Sequence, residues 1–195
     1  MKRGTIILAL LLLATTVASA QRHKWYQIGF KIGTQFPIAH NYTDVDYLTG
    51  TRTVHFGGYF RAGKYVYGEI GFGYQYFKNR FRVTLPDGST PDDMVENRYL
   101  VIPIKVVGDV QITEKISFMP QVGISYQPLL KVTENTLGYS KENIEKNWTL
   151  LTAGFDMKFG FITLGVDYRY SFQHFFRNKE GQRPQYIGIS AGVIF

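Results

Sequence analysis

The feature that most constrains this chain is a period-two alternation of apolar and polar residues, repeated in eight segments of about ten residues each. Successive side chains of a strand point to opposite faces, so such alternation marks a strand with one apolar face. The segment 161–172 is the clearest. Ile162, Leu164, Val166, Tyr168, Tyr170 and Phe172 share one face, and Thr163, Gly165, Asp167, Arg169 and Ser171 share the other. The same rule holds in 26–36, 51–62, 66–76, 98–110, 116–126, 149–159 and 187–195. No stretch after Ala20 keeps a helical period.

The links between these segments alternate in length. Long polar links are expected at 37–50, 79–97, 133–146 and, shorter, 177–183, with tight turns at 63–64, 108–114 and 158–160. An even number of strands with long links at one end and short turns at the other is the pattern of a transmembrane barrel; a soluble sandwich has no reason to sort its links this way. The sequence therefore predicts an all-β fold, an eight-stranded antiparallel up-and-down transmembrane β-barrel with both ends of the chain on the short-turn side.

The N-terminus fits export. Lys2 and Arg3 precede an apolar run from Ile6 to Ala14, and Ala18-Ser19-Ala20 offers a small-residue cleavage site before Gln21. This is the layout of a secretory signal peptide, and the apolar run is shorter than the ~20 residues of a spanning helix. The expected division is a signal peptide over 1–20 and one barrel domain over 21–195, with the product in a bacterial outer membrane. Removing Lys2 and Arg3 takes the formal charge from +7 to +5. With no concentrated basic stripe, nucleic acid is not an expected partner. The absence of Cys excludes a disulfide framework, a Cys-ligated metal and a lipid anchor on Cys.

The apolar face is expected to meet lipid. An eight-stranded barrel has an interior just wide enough for its own side chains, and the 14 Tyr and 15 Phe would overfill it. The interior is instead predicted to hold Gly, Ser, Thr and Gln with a mixed-sign charge network. In it Lys31, Arg61, Lys105, Lys158 and Arg169 meet Glu69, Asp156 and Asp167. Two aromatic girdles are expected: Trp25, Tyr26, Phe159, Phe161 and Phe195 at the short-turn side, and Tyr74, Tyr76, Tyr126, Trp148, Tyr170 and Phe172 at the long-link side. Pro103, Pro120 and Pro128 each remove a ladder donor, so bulges or breaks are expected at them, with Pro128 near a strand end.

In architecture the chain resembles the small OmpX- and OmpA-like outer-membrane barrels. Arg98-Tyr-Leu-Val-Ile-Pro-Ile-Lys105 is similar to a Tyr/Leu-x-Ile-Pro-x-x-x-Lys strand of the PorT-like barrels of Bacteroidetes. Gly192-Val-Ile-Phe195 resembles the aromatic-ended signal read by the outer-membrane assembly machinery, which implies that machinery as a partner during biogenesis and Phe195 as the signal residue. The PorT-like resemblance implies a link to protein secretion and transfers no functional residue.

Catalytic constellations are thin. Ser171 and His174 are the nearest Ser–His pair, but a separation of three puts them on opposite faces of a regular strand. His55 is expected inside the barrel, where Glu69 on the next strand is a possible partner. His23 and His40 fall in the N-terminal tail and first link. Asp44 and Asp46, with Asp92, Asp93 and Glu96, are better read as solvated loop acids than as a cation site. The glycines of 68–73 lie in a strand with no following helix, which argues against a phosphate-binding loop. The reading is a monomeric, non-enzymatic barrel without cofactor or metal, surrounded by outer-membrane lipid, its lumen plugged, acting in envelope structure or through its loops on an envelope or secretion partner. A narrow pore and a lipid-modifying enzyme are the alternatives.

Overall fold

The computed structural model describes residues 25–39, 45–83, 87–133, 135, 137–177 and 183–195. The proposed signal peptide, His23, His40 and Asp44 lie outside them. Nine strands follow one another: β1 (Tyr26–Ala39), β2 (Val45–Gly63), β3 (Val66–Val83), β4 (Asp92–Gly108), β5 (Val110–Gln111), β6 (Ile116–Val132), β7 (Asn147–Phe159), β8 (Ile162–Ser171) and β9 (Gln185–Ile194). Among the described residues there is no helix. The hydrogen-bonded order is β4-β3-β2-β1-β9-β8-β7-β6-β5, and β4 also pairs with β6. That last pairing closes the sheet. The two-residue β5 continues the line of β4 along β6, so the nine strands make eight staves of a closed, wholly antiparallel barrel.

The alternation sets which way each side chain faces. Ile162, Leu164, Val166 and Tyr168 are 40–51% exposed on the outer wall, while Thr163, Asp167 and Arg169 between them are buried in the lumen. The outer band of β1 to β3 is equally apolar, with Phe30, Ile32, Phe56, Phe60, Ile70 and Phe72 all facing out. At the short-turn end β7 and β8 are joined through Gly160-Phe161, where Gly160 has φ +62°, a conformation that tight hairpin turns need and L side chains rarely adopt.

The prolines act as their missing donors require. Opposite Pro103 the β3–β4 ladder skips Gly71 and Phe72 yet resumes in the same register, and the proline ring fills the space beside Gly71, where a Cβ would come within 2.8 Å of it. Pro120 lies opposite the gap between β4 and β5 at Gly108 and Asp109. Pro128 sits at the last β6–β7 pair, and the β4–β6 register shifts by one nearby, between Arg98 and Tyr99.

The wall is taller than the alternation predicts. β2, β3, β4 and β6 run 17–19 residues, whereas β8 and β9 have 10. Much of the links expected at 37–50 and 79–97 is therefore strand. On β3 the outward positions are apolar through Tyr76 and then become Lys78, Arg80 and Arg82, while inward Phe77 and Phe81 are fully buried. The pattern inverts because the medium outside the wall changes from lipid to water. Lys78 pairs with Glu96 at 2.9 Å and Arg80 with Asp92 at 2.7 Å across this hairpin, so two of the acids considered for a cation site face basic neighbours instead.

Candidate functional site

The lumen is the place where this barrel gathers its buried chemistry, and it is filled in three layers. At the short-turn end Tyr67, Val107 and Met119 form a small apolar cluster, joined by Gln27, whose side-chain amide donates to the Tyr67 hydroxyl at 3.3 Å.

Charges occupy the middle. Asp156, fully buried on β7, accepts from Lys31 Nζ at 2.6 Å, from Arg61 Nη2 at 3.1 Å and from Gln121 Nε2 at 3.1 Å. Arg61 also donates through Nε to Glu69 at 2.6 Å, and Lys105 lies 3.3 Å from the other oxygen of Glu69 while donating to Gln121 at 3.1 Å. The Tyr59 ring is near two cations, its centroid 5.3 Å from Lys31 Nζ and 4.7 Å from the Arg61 guanidinium carbon. Higher on β8, Arg169 grips both oxygens of Asp167, two residues earlier on the same face.

These pairs span the barrel from β1, β2, β3, β4 and β6 to β7. Each of these staves supplies its charged or, on β6, its amide group at an inward position because the alternation demands it there. In a dry interior such ions are tolerable only when paired and hydrogen-bonded, and that condition is met here by carboxylates taking two or three donors each.

Of the eight residues assigned to the lumen network, Lys31, Arg61, Glu69, Lys105 and Asp156 form one connected cluster, and Asp167 with Arg169 forms a separate pair. Lys158 departs from the expectation. It lies toward the short turns, 3.8 Å from Asp109, a residue beside the β4 break that the sequence did not single out. His55 faces the lumen but does not pair with Glu69, whose oxygens are engaged by Arg61 and Lys105; its Nδ1 is buried with no hydrogen-bond partner. Ser171 Oγ donates to the Gln173 carbonyl and accepts from the Gln173 amide, so it is not joined to His174. Among the described residues no three His, Cys, Asp or Glu gather where a metal ion could be held.

The third layer is an aromatic cap at the long-link end, where polar filling was expected. Phe77, Phe81, Val95, Tyr99, Ile144, Trp148, Leu150, Phe175, Phe176 and Tyr186 form one buried cluster. Trp148 stacks on Tyr99 at 5.0 Å and meets Phe77 and Phe175 edge-on at 5.6 and 5.4 Å. It is therefore not a girdle residue: its even position on β7 points it inward, and it is fully buried. Tyr126 and Phe172 do face outward at this end, as do Trp25 and Tyr26 at the other, joined there by Tyr65. The loops take part in the cap. Ile144 bridges Phe176, the Glu145 amide donates to the Phe175 carbonyl at 2.9 Å and the Arg177 amide to the Asn143 carbonyl at 2.9 Å. The signal within the sequence was the inward parity of four aromatics: Phe77, Tyr99 and Tyr186, which no expectation used, and Trp148, which was assigned to a girdle.

A closed antiparallel barrel with an apolar belt, aromatic ends and a filled polar lumen belongs to the class of small transmembrane β-barrels found in bacterial outer membranes. No family model matches the chain, and no curated protein matches it in sequence. Among solved structures it is similar to the N-terminal β-barrel domain of OprF from Pseudomonas aeruginosa, with 8% identity and a TM-score of 0.48 over 89% of this chain and 100% of that one. The translocator domain of the autotransporter NalP from Neisseria meningitidis gives 10% identity and 0.48 over 98% and 95%. Ail, the attachment invasion locus protein of Yersinia pestis, in complex with the heparin analogue sucrose octasulfate, gives 13% and 0.42 over 88% and 100%. At these identities no residue role passes from those proteins to this chain.

Proposed function

We propose that this protein is a non-enzymatic outer-membrane barrel with a closed lumen, exported by its N-terminal segment and acting through its loop-side end on another envelope component. The observation that carries this reading is the sealing of the lumen by an apolar cluster, an ion network and an aromatic cap in series. An ion crossing would have to break buried salt bridges and open a packed aromatic layer. A solute path through an eight-stranded barrel has no spare width for either.

The loop-side end is the natural contact surface. There the β3–β4 hairpin rises beyond Tyr76 with a charged outer face, and the loops around Ile144 and Phe176 are pinned onto the cap. The similarity of Arg98–Lys105 to the PorT-like strand supports a secretion-associated partner within this reading. A lipid-modifying enzyme is less favoured because Ser171, in the nearest such pair, is engaged by Gln173 and no hydrogen bond joins it to His174, whose Nδ1 is without a partner. The experiment is single-channel recording of the refolded barrel in a planar bilayer. Inserted but silent protein is the expected result; steady, reproducible conductance steps would overturn the closed-lumen reading and put the pore in its place.

A further inference from the structure

The lumen carries one more positive charge than its carboxylates neutralise. Among the described residues the inward cations are Lys31, Arg61, Lys105, Lys158 and Arg169, and the inward acids are Glu69, Asp109, Asp156 and Asp167. Five against four leaves +1 with His55 neutral. An uncompensated charge inside a barrel surrounded by hydrocarbon is costly, so a counterion inside the wall is the economical solution.

There is room for one where the surplus lies. A cavity of about 70 Å³ sits between the Glu69–Asp156 cluster and the Asp167–Arg169 pair, its charged and titratable lining being Lys31, His55, Glu69, Lys105, Asp167 and Arg169. It exists because two facing positions of the wall have no side chain. Gly57 and Gly73 are partners across β2 and β3, and a Cβ on Gly57 would come within 2.7 Å of the Phe72 carbonyl oxygen and 2.8 Å of the Gly73 Cα. The backbones approach too closely for any other residue, and the lumen at that level is left unfilled from that side. A single water needs only roughly 10–15 Å³ of such space, so the cavity has room for a small ion with part of its hydration. Its lining sets three cations, Lys31, Lys105 and Arg169, against two carboxylates, Glu69 and Asp167, which leaves one positive charge in excess there; Thr152 and Ser190 offer hydroxyls, and the buried His55 Nδ1 has no protein partner.

We propose that this cavity binds one small monovalent anion, of the chloride type, held by Lys31, Lys105 and Arg169. The anion completes the charge balance of the lumen and does not depend on the partner the barrel serves. The test uses the refolded full barrel and sodium chloride, bromide or gluconate at equal ionic strength. Thermal unfolding should shift upward, saturably, in chloride and bromide relative to the bulky gluconate. Lys105→Gln brings the lumen count to four against four and keeps a hydrogen-bonding group beside Glu69 and Gln121. In that variant the halide-dependent shift should vanish. Lys31→Gln serves the same purpose if the first variant does not fold, because Asp156 retains Arg61 and Gln121. Crystals grown in bromide should show anomalous density in the cavity. A shift that is absent, or that persists equally in the charge-balanced variant, or bromide-grown crystals with no anomalous peak between Lys31, Lys105 and Arg169, would overturn the proposal.

Discussion

Replacing Asp156 by Asn tests whether the lumen network holds the barrel together. The change is nearly isosteric and removes one charge from a fully buried carboxylate that accepts three side-chain donors. Lys31 loses the one carboxylate within salt-bridge distance of it among the described residues, while Arg61 keeps Glu69. Breaking one side of a buried ion pair costs about 3–5 kcal/mol, against about 0–1 kcal/mol for an exposed pair. Because Arg61 retains a partner, the expected loss lies near the lower end, about 3 kcal/mol. Lys31→Met alone should cost less, about 1–2 kcal/mol, since Asp156 keeps two donors. The double variant removes both members of the 2.6 Å pair, so its loss should fall short of the sum of the singles by roughly 1–3 kcal/mol. The assay is urea unfolding of the refolded barrel in lipid vesicles, followed by tryptophan fluorescence and by the heat-dependent shift of the folded band on a gel. A loss under about 1 kcal/mol for Asp156→Asn, or strict additivity in the double variant, would refute the reasoning and mean that the lumen is wet enough to screen its charges.

Other perturbations separate the remaining layers. Trp148→Ala empties the centre of the aromatic cap and should cost about 3–5 kcal/mol in the same unfolding assay. Before unfolding, the intact protein should show one blue-shifted, quencher-protected tryptophan, Trp148, and one exposed tryptophan, Trp25, which is 77% accessible. Gly57→Ala drives a methyl into the β3 backbone and should destabilise by about 1–3 kcal/mol, whereas Gly68→Ala, where a Cβ meets nothing within 4 Å, should change stability by less than about 0.5 kcal/mol. Phe195→Ala keeps the two backbone hydrogen bonds between Phe195 and Ile28, so refolding in detergent should be unchanged while the amount assembled in the outer membrane of cells falls. Equal losses in both settings would remove Phe195 as an assembly signal.

Most of the wall was legible from the chain alone. Alternation is a local property, and a strand with one lipid-facing side has no other way to place Ile162, Leu164 and Val166 against Asp167 and Arg169. Parity on β7 likewise puts Asp156 inside without reference to any other strand. The strand ends were not legible, because the apolar face changes sides where the wall leaves the membrane. Beyond Tyr76 the apolar residues Phe77 and Phe81 point inward and Lys78, Arg80 and Arg82 point to water. A rule that assumes lipid outside reads this inversion as the end of the strand. Trp148 was misread as a girdle residue because its position near a strand end suggested the interface; its even position on β7 already pointed inward, and only the neighbours that cover it are a three-dimensional fact.

What the sequence by itself determined is the class of fold and the inward or outward direction of the residues within the lipid-facing span of each strand, since both follow from a period of two and a boundary between oil and water. What only the tertiary structure decided is who meets whom inside. Lys31 finds Asp156 at a separation of 125 residues, Lys158 turns to Asp109, and His55 is left without Glu69. Such pairings depend on the register of every stave between the partners and on the closure of the barrel, and neither is written in any local stretch of chain.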